Sequence, residues 1–368
     1  MKTRSTIILI LFIVIAAAVI GISQFLRSQP PLEVTIAVNP IALDWAQEVA
    51  TAFNASGPIV NGSRRVQVRV TPVDDLQVWG ADGGVWNFSE HPDGWIPGIS
   101  ASLDYARQVR LPFTSVQPSL AQTTLAWGGF ANAVEAITAN DEPLDWAALQ
   151  EYMENDRLSL ALPHPGRSLA GLAGALSGAG AFHDVSTLEG SAVTASAFRT
   201  WLVEMLGHVP NFNTLGALPA ETLAARGQSA GAVALLPESQ WLTNLRGQLV
   251  NASNPVVLSY PEYNVNFDFP LAMWHDTATV EDTDPDDSNR RSAVIAFGNF
   301  ASSPEQQARA AAFGLRPAAG VPEAGNAGLF DAGLPYGAAL ELPASINVTP
   351  PSRADLLALI GAINQAVR

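Results

Sequence analysis

The stretch Leu158–Gly180, LSLALPHPGRSLAGLAGALSGAG, places an arginine and a serine at the start of a helix. It reads as a buried strand, then a turn with two prolines and a glycine, then a helix of small residues. A helix N-terminus presents unpaired backbone N–H groups and a partial positive charge, which suits an anion or a carboxylate. Ser168 can donate from its hydroxyl, and Arg167 can supply a bidentate fork. The same residues would also serve as a plain cap and a solvated side chain, so capping and ligand contact both stand.

Other residues with chemical potential point to no catalysis. GQSAG, Gly227–Gly231, matches the G-x-S-x-G nucleophile pattern. That elbow needs a strand before it and a helix after it, and here a helical stretch precedes and the strand AVALL follows. The histidines at 91, 164, 183, 208 and 275 form no H-E-x-x-H or other close metal pairing. The acidic run Asp282–Asp287, DTDPDD, begins like a calcium loop but lacks the glycine at position six and the glutamate at position twelve. A solvated loop is expected. No motif favours paired carboxylates for glycoside hydrolysis. The expectation is a protein that is not an enzyme, with no catalytic residues, no cofactor and no metal.

Composition narrows the partners. Asp and Glu outnumber Lys and Arg 34 to 19, the net charge is −15, and the only lysine is Lys2. A nucleic-acid binder needs a basic stripe to neutralise phosphates, so that class is rejected. With no cysteine, disulfides, thiol nucleophiles and thiolate zinc sites are removed.

The elements that must position these residues alternate between strand and helix. LEVTIAV, Leu32–Val38, is a β-branched run of strand length that Asn39-Pro40 breaks. Ile41–Ser56 follows with Leu43, Ala46, Val49, Ala50 and Phe53 on one helical face. Arg64–Val73 alternates with period two. This strand–helix–strand opening implies a parallel sheet with helical crossovers. Further on, Pro118–Gly129 has strand character, and Leu144–Asn155, Ala197–Val209 and Leu218–Gln228 have helical character. A pair of helices is expected within 290–317, and Ser352 is placed to cap a C-terminal helix.

The N-terminus carries Lys2 and Arg4, then an uncharged apolar run over Thr6–Leu26. It is about 31 Å long as a helix, enough to span a bilayer. The run continues past Ala16-Ala17-Ala18, which favours an uncleaved signal-anchor over a cleaved signal. The positive flank keeps residues 1–5 cytoplasmic, so everything beyond the linker 27–32 is expected to be extracytoplasmic.

The order of the segments resembles the bacterial extracellular solute-binding proteins with the type II periplasmic-binding-protein fold, without a von Willebrand-type A domain. The resemblance rests on VTIAVNPIALDWAQEVATAFN, DGWIPGIS, LSLALPHPGRSLAGLAGAL, GQSAGAVALLPESQ, YPEYNVNFDFPLAM and AFGNFASSPEQQARAAAFGLRPA. It covers nearly all of residues 33–368. It implies an α/β fold of two lobes, each a mixed, mostly parallel sheet flanked by helices, with ligand held between them. Lobe I is expected over 33–130 and 256–368, and lobe II over 131–255.

On that plan Asn39 sits at a corner of lobe I that corresponds to Arg167 and Ser168 in lobe II. It touches ligand or makes a turn with Pro40. Trp95, flanked by glycine and proline, stacks a sugar or apolar group, or packs on its lobe. One of Thr123 and Thr124 faces the cleft. Glu238, Tyr260 and Asp268 lie near the crossover, as ligand contacts or as hinge and core hydrogen bonders. The implied function is a membrane-anchored receptor that captures a small solute between its lobes for an ABC-type transporter permease. The alternative is a surface interaction protein that kept the fold and binds a protein partner.

Overall fold

The computed structural model describes Val14 and residues 30–62, 64–80, 84–138, 144–155, 158–216, 218–275 and 285–367. The expected transmembrane segment, apart from Val14, and the first part of the acidic run lie outside the described residues. Among the described residues no helix is long and apolar enough to cross a membrane.

The first half of the chain gives β1 (Leu32–Val38), α1 (Leu43–Ala55), β2 (Ile59–Val60), β3 (Arg64–Pro72), α2 (Asp75–Trp79), β4 (Gly94–Ile96), α3 (Ala101–Gln108), β5 (Phe113–Gln117) and β6 (Ala121–Phe130). It continues with β7 (Leu160–Ala161), α4 (Leu169–His183), α5 (Ser196–Gly207), α6 (Pro219–Arg226), β8 (Val233–Pro237) and α7 (Glu238–Thr243). The remainder gives β9 (Val256–Ser259), β10 (Tyr263–Asn264), β11 (Asn266–Phe267), β12 (Leu271–Trp274), α8 (Pro285–Ala301), β13 (Arg316–Pro317), β14 (Ile346–Asn347) and α9 (Arg353–Ala366).

Two six-stranded sheets organise these elements. The first has the order β2-β3-β1-β4-β12-β5. β1 pairs in parallel with β3, Leu32 facing Val66 through Val38 facing Pro72, and in parallel with β4. Apolar β-branched residues at alternate positions bury Val34, Ile36, Val66 and Val68 between α1 and the far face. α1 buries Trp45, Ala46, Val49, Ala50 and Phe53, the expected stripe with Trp45 in place of Leu43. Behind it, Phe53 meets Phe297 of α8 edge-on at 5.6 Å.

The second sheet is built on β6, which pairs antiparallel with β8, β9, β11 and β13, while β7 joins β8 in parallel. The expected mostly parallel character therefore fails here. The late strands β9, β11 and β13 all lie antiparallel to β6, and the parallel pairing in this sheet is that of β7 with β8. β6 lies in the second sheet, so the chain passes from the first sheet to the second at 118–120. It returns at 268–270, between β11 and β12, and leaves once more beyond α8.

α4 is apolar nearly all round and is buried from Leu169 to Gly180, as a helix without a polar face must be. Its glycines admit close neighbours: a Cβ at Gly174 would lie 2.7 Å from Leu162, and one at Gly180 would lie 2.7 Å from Val348. α9 is capped by Ser352, whose Oγ accepts from the Asp355 N–H. Its start is pinned to α2 and α3, where Arg353 Nε donates to the Trp79 carbonyl at 2.6 Å and Tyr105 donates to the Pro351 carbonyl at 2.7 Å.

Candidate functional site in the interlobe cleft

β1, β3 and β4 run parallel, so their carboxyl ends open on one edge, where ligands gather in open α/β sheets. Asn39 follows β1 and is fully buried. Its Oδ1 accepts from the Ile41 N–H at 3.1 Å, which caps a short 3₁₀ turn over Pro40–Ala42. Its Nδ2 donates to Asp75 Oδ1 at 2.7 Å. Asp75 follows β3 and also accepts from the Gly98 N–H at 3.0 Å and from Ser102 Oγ at 2.6 Å. One buried carboxylate thus ties together the loops that follow all three parallel strands. Burial pushes Asp75 up to about 7, the neighbouring Asp74 charge adds to this, and the hydrogen bonds from Ser102, Asn39 and Gly98 oppose it.

Asp74 faces the other lobe. Its Oδ1 accepts from Leu76 N at 3.0 Å and so caps α2. The same carboxylate accepts from Leu169 N, the first residue of α4, at 3.2 and 3.1 Å. Burial raises Asp74 to about 6, against the pull of these two backbone donors. Ser168 caps α4 from its own side, accepting from Gly171 N at 3.1 Å. Arg167 is exposed and its Nη1 donates to Asn213 Oδ1 at 3.2 Å. In this arrangement the helix N-terminus singled out by the sequence is held by Ser168 and by a carboxylate from the opposite lobe.

Beside Asn39 lies a cavity of about 200 Å³. One wall comes from the first lobe, Pro40, Ile41, Asp44 and Trp45. The other comes from the second, including Glu221 of α6 and Ser239, Gln240 and Asn244 on and just after α7, with Arg246 at the rim. Three lining residues carry buried polar atoms without a hydrogen-bond partner: Trp45 Nε1, Ser239 Oγ and Gln240 Oε1. These residues are 1%, 3% and 7% exposed. Unsatisfied buried polar groups are uncommon and costly in a fold, and three of them belong to residues around this one cavity.

The remaining expected residues surround this cleft in different roles. Thr123 Oγ1 accepts from Ser239 N at 3.2 Å and fixes the start of α7, while the buried Thr124 hydroxyl has no partner. Glu238 is fully buried and forms a fork with Arg316, Nε to Oε2 at 2.9 Å and Nη2 to Oε1 at 2.8 Å. Tyr260 donates to the same carboxylate and accepts from Ala339 N at 2.9 Å. This network lies behind α7 and anchors the segment that presents Ser239 and Gln240. Asp268 sits in the sheet-changing segment 268–270 and accepts from Ser100 N at 2.8 Å and from the Ser100 hydroxyl. Burial raises its pKa and the bonds from Ser100 oppose the rise.

Trp95 lies inside the first sheet, fully buried against Trp86 and Phe113. Its ring does not line the cavity described above. Ser229 of GQSAG donates to the Arg226 carbonyl at 2.7 Å, in a 3₁₀ turn that precedes β8. No group of three or more metal-binding side chains occurs among the described residues.

Sequence reasoning passed over Trp45, Asp74, Asp75, Gly98, Ser239 and Gln240. A signal existed for the aspartates: PVDDLQVW puts Asp74 at the N-cap position of a helix directly after a strand.

No family model matches the chain, and no curated protein matches it by sequence. Solved structures do. A chitin oligosaccharide binding protein superposes with a TM-score of 0.58 at 13% identity, covering 91% of this chain and 97% of that one. A solute-binding protein of Streptococcus pneumoniae, in complex with the blood group A-trisaccharide, gives 0.57 at 12% identity, covering 91% and 95%. UgpB of Mycobacterium tuberculosis, in complex with glycerophosphocholine, gives 0.51 at 13% identity, covering 92% and 97%. The fold is that of the solute-binding proteins. At these identities the likeness concerns the two-lobed α/β fold, and the chemistry of the cleft is this chain's own.

Proposed function

We propose that the protein captures a small solute in the cleft between its lobes and hands it to an ABC-type transporter permease. In this reading residues 6–26 hold it in the membrane and the lobes lie outside the cytoplasm. The observation that carries the proposal is the interlobe cavity, walled by both lobes and lined by residues with three unpartnered buried polar atoms. Closing two lobes on a ligand takes it out of water and satisfies such atoms at the same moment. The fold shared with solute-binding proteins supports the same reading.

The solute we read from this cavity is uncharged and hydroxyl-bearing, about the size of a single sugar ring. Its partners would be an indole N–H, a hydroxyl and an amide oxygen, with Asp44 and Glu221 at the rim suited to further hydroxyls or to a cation. A cavity of about 200 Å³ is small for an oligosaccharide.

The test is thermal melting of the full chain in mild detergent against sugars, polyols, amino acids, oxyanions, short peptides and calcium. A ligand specific for the folded state adds about 2.7 kcal/mol at a hundredfold excess over Kd. A shift with monosaccharides or polyols is expected. No shift with any class would sink the solute reading and favour a protein partner, to be sought by pull-down from membranes.

A further inference from the structure

We infer that Asp74 is a built-in stand-in for an acidic solute group: its carboxylate, carried by the first lobe, holds the N-terminus of α4 in the second, clasping the cleft and keeping anions off this end of it. The inference rests on the two-lobed capture reading and concerns how that same cleft is closed and what it refuses.

The geometry is specific. Both Asp74 oxygens lie within 3.2 Å of the Leu169 N–H, the first of the backbone donors that a helix start leaves without an internal partner. Asp74 follows β3 of the first sheet and Leu169 opens the helix that follows β7 of the second, so this bond exists only while the lobes are together. The contact is reinforced beside it. A Cβ at Gly98 would fall 2.3 Å from Leu169 Cδ2 and 3.1 Å from Asn39 Nδ2, so this lobe I loop packs closely on the start of α4. Gly98 is itself fixed on both sides, its N–H donated to Asp75 and its carbonyl accepting from Asp268 N at 3.1 Å. Asp268 belongs to the segment in which the chain changes sheets, so the clasp and that crossover share one residue.

A solute carboxylate or phosphate would seek the same donors for the same electrostatic reason. Here those donors meet a side chain of the protein, and an incoming anion meets the Asp74 charge. The wild-type cleft therefore selects uncharged or cationic solutes, and removing Asp74 should create an anion site where the wild type has none.

The chain has no cysteine, so two introduced at exposed positions, Gln47→Cys in α1 and Thr200→Cys in α5, take spin labels uniquely. Interlobe distances are then measured on the full chain in detergent by pulsed electron resonance, above the raised Asp74 pKa of about 6 and with no solute added. The wild type should give one short distance that acetate and formate do not change. Asp74→Ala should lose the short distance in favour of a longer, broader distribution, and acetate or formate should restore it. Leu169→Pro removes the donor N–H at a position where helices accept proline. It should open the lobes with no recovery in acetate, and it serves also if Asp74→Ala does not fold. An unchanged distance in both variants, or an Asp74→Ala distribution that acetate and formate leave wide, overturns the inference. Solute capture is judged separately by melting with neutral ligands, so either reading can fail without the other.

Discussion

A buried hydroxyl without a partner costs a fold about 1–3 kcal/mol, and Ser239 keeps one beside the cavity. Ser239→Ala should therefore make the protein more stable, by roughly 1 kcal/mol in urea unfolding, while weakening solute binding about tenfold. A variant that loses both stability and affinity would show that Ser239 serves packing and not the guest. Glu238 gives the opposite case. Its fork to Arg316 is buried at both ends, 0% and 5% exposed, so deleting one partner strands a charge. Arg316→Met should cost about 3–5 kcal/mol, read by denaturant unfolding. A loss under about 1 kcal/mol would place the pair among solvent-screened bridges. These roles were only partly legible in the sequence. Glu238, Tyr260 and Asp268 stood out by position, but their partners Arg316, Ala339 and Ser100 are distant in the chain or unremarkable in type. Trp95 looked like a binding aromatic because glycine and proline flank it. In the fold Gly94 opens and Pro97 follows a short central strand, which buries the ring.

At the scale of elements, the strands and helices were largely written in the chain. The alternation in Arg64–Pro72, the stripe of α1 and the Ser352 cap are local patterns, and local patterns fix local structure. Which sheet a strand joins is decided by pairing with residues more than a hundred positions away. Gly129 of β6 faces both Val233 and Val257, and no local pattern at 121–130 records that. The same holds for α4, whose start the sequence offered as a plain cap or as an anion contact without revealing the aspartate that meets it. Two variants probe how that helix start is held. Ser168→Ala removes the cap and should cost about 1 kcal/mol without changing the distance between lobes. Gly98→Ala should instead separate the lobes, because its new methyl group meets Leu169 at 2.3 Å. Adding Leu169→Ala should restore the short distance. If Gly98→Ala leaves the distance unchanged, Leu169 yields and the two surfaces are less tightly matched than they look.

For the molecule as a whole, the adjacent buried acids make a prediction about pH. Asp74 and Asp75 are raised by burial to about 6 and about 7, from 3.8 in the unfolded chain. Between those limits the folded state binds more protons than the unfolded state, so stability falls as pH rises. Their contribution is fully present below the unfolded value and is lost as pH climbs through the folded ones. Tm should therefore rise on going from about pH 8 to about pH 5, with Asp74 alone supplying on the order of 1 kcal/mol, a few degrees. The net charge of −15 pushes in the same direction, since acidification relieves self-repulsion. Salt separates the two effects. Exposed charges are screened within about 3 Å at 1 M salt, whereas the buried pair is hardly touched. A slope that survives high salt belongs to the buried acids, and Asp74→Asn, which cannot titrate, should flatten part of it. A slope that vanishes in salt and is the same in Asp74→Asn would mean that the surface charge alone governs the pH response.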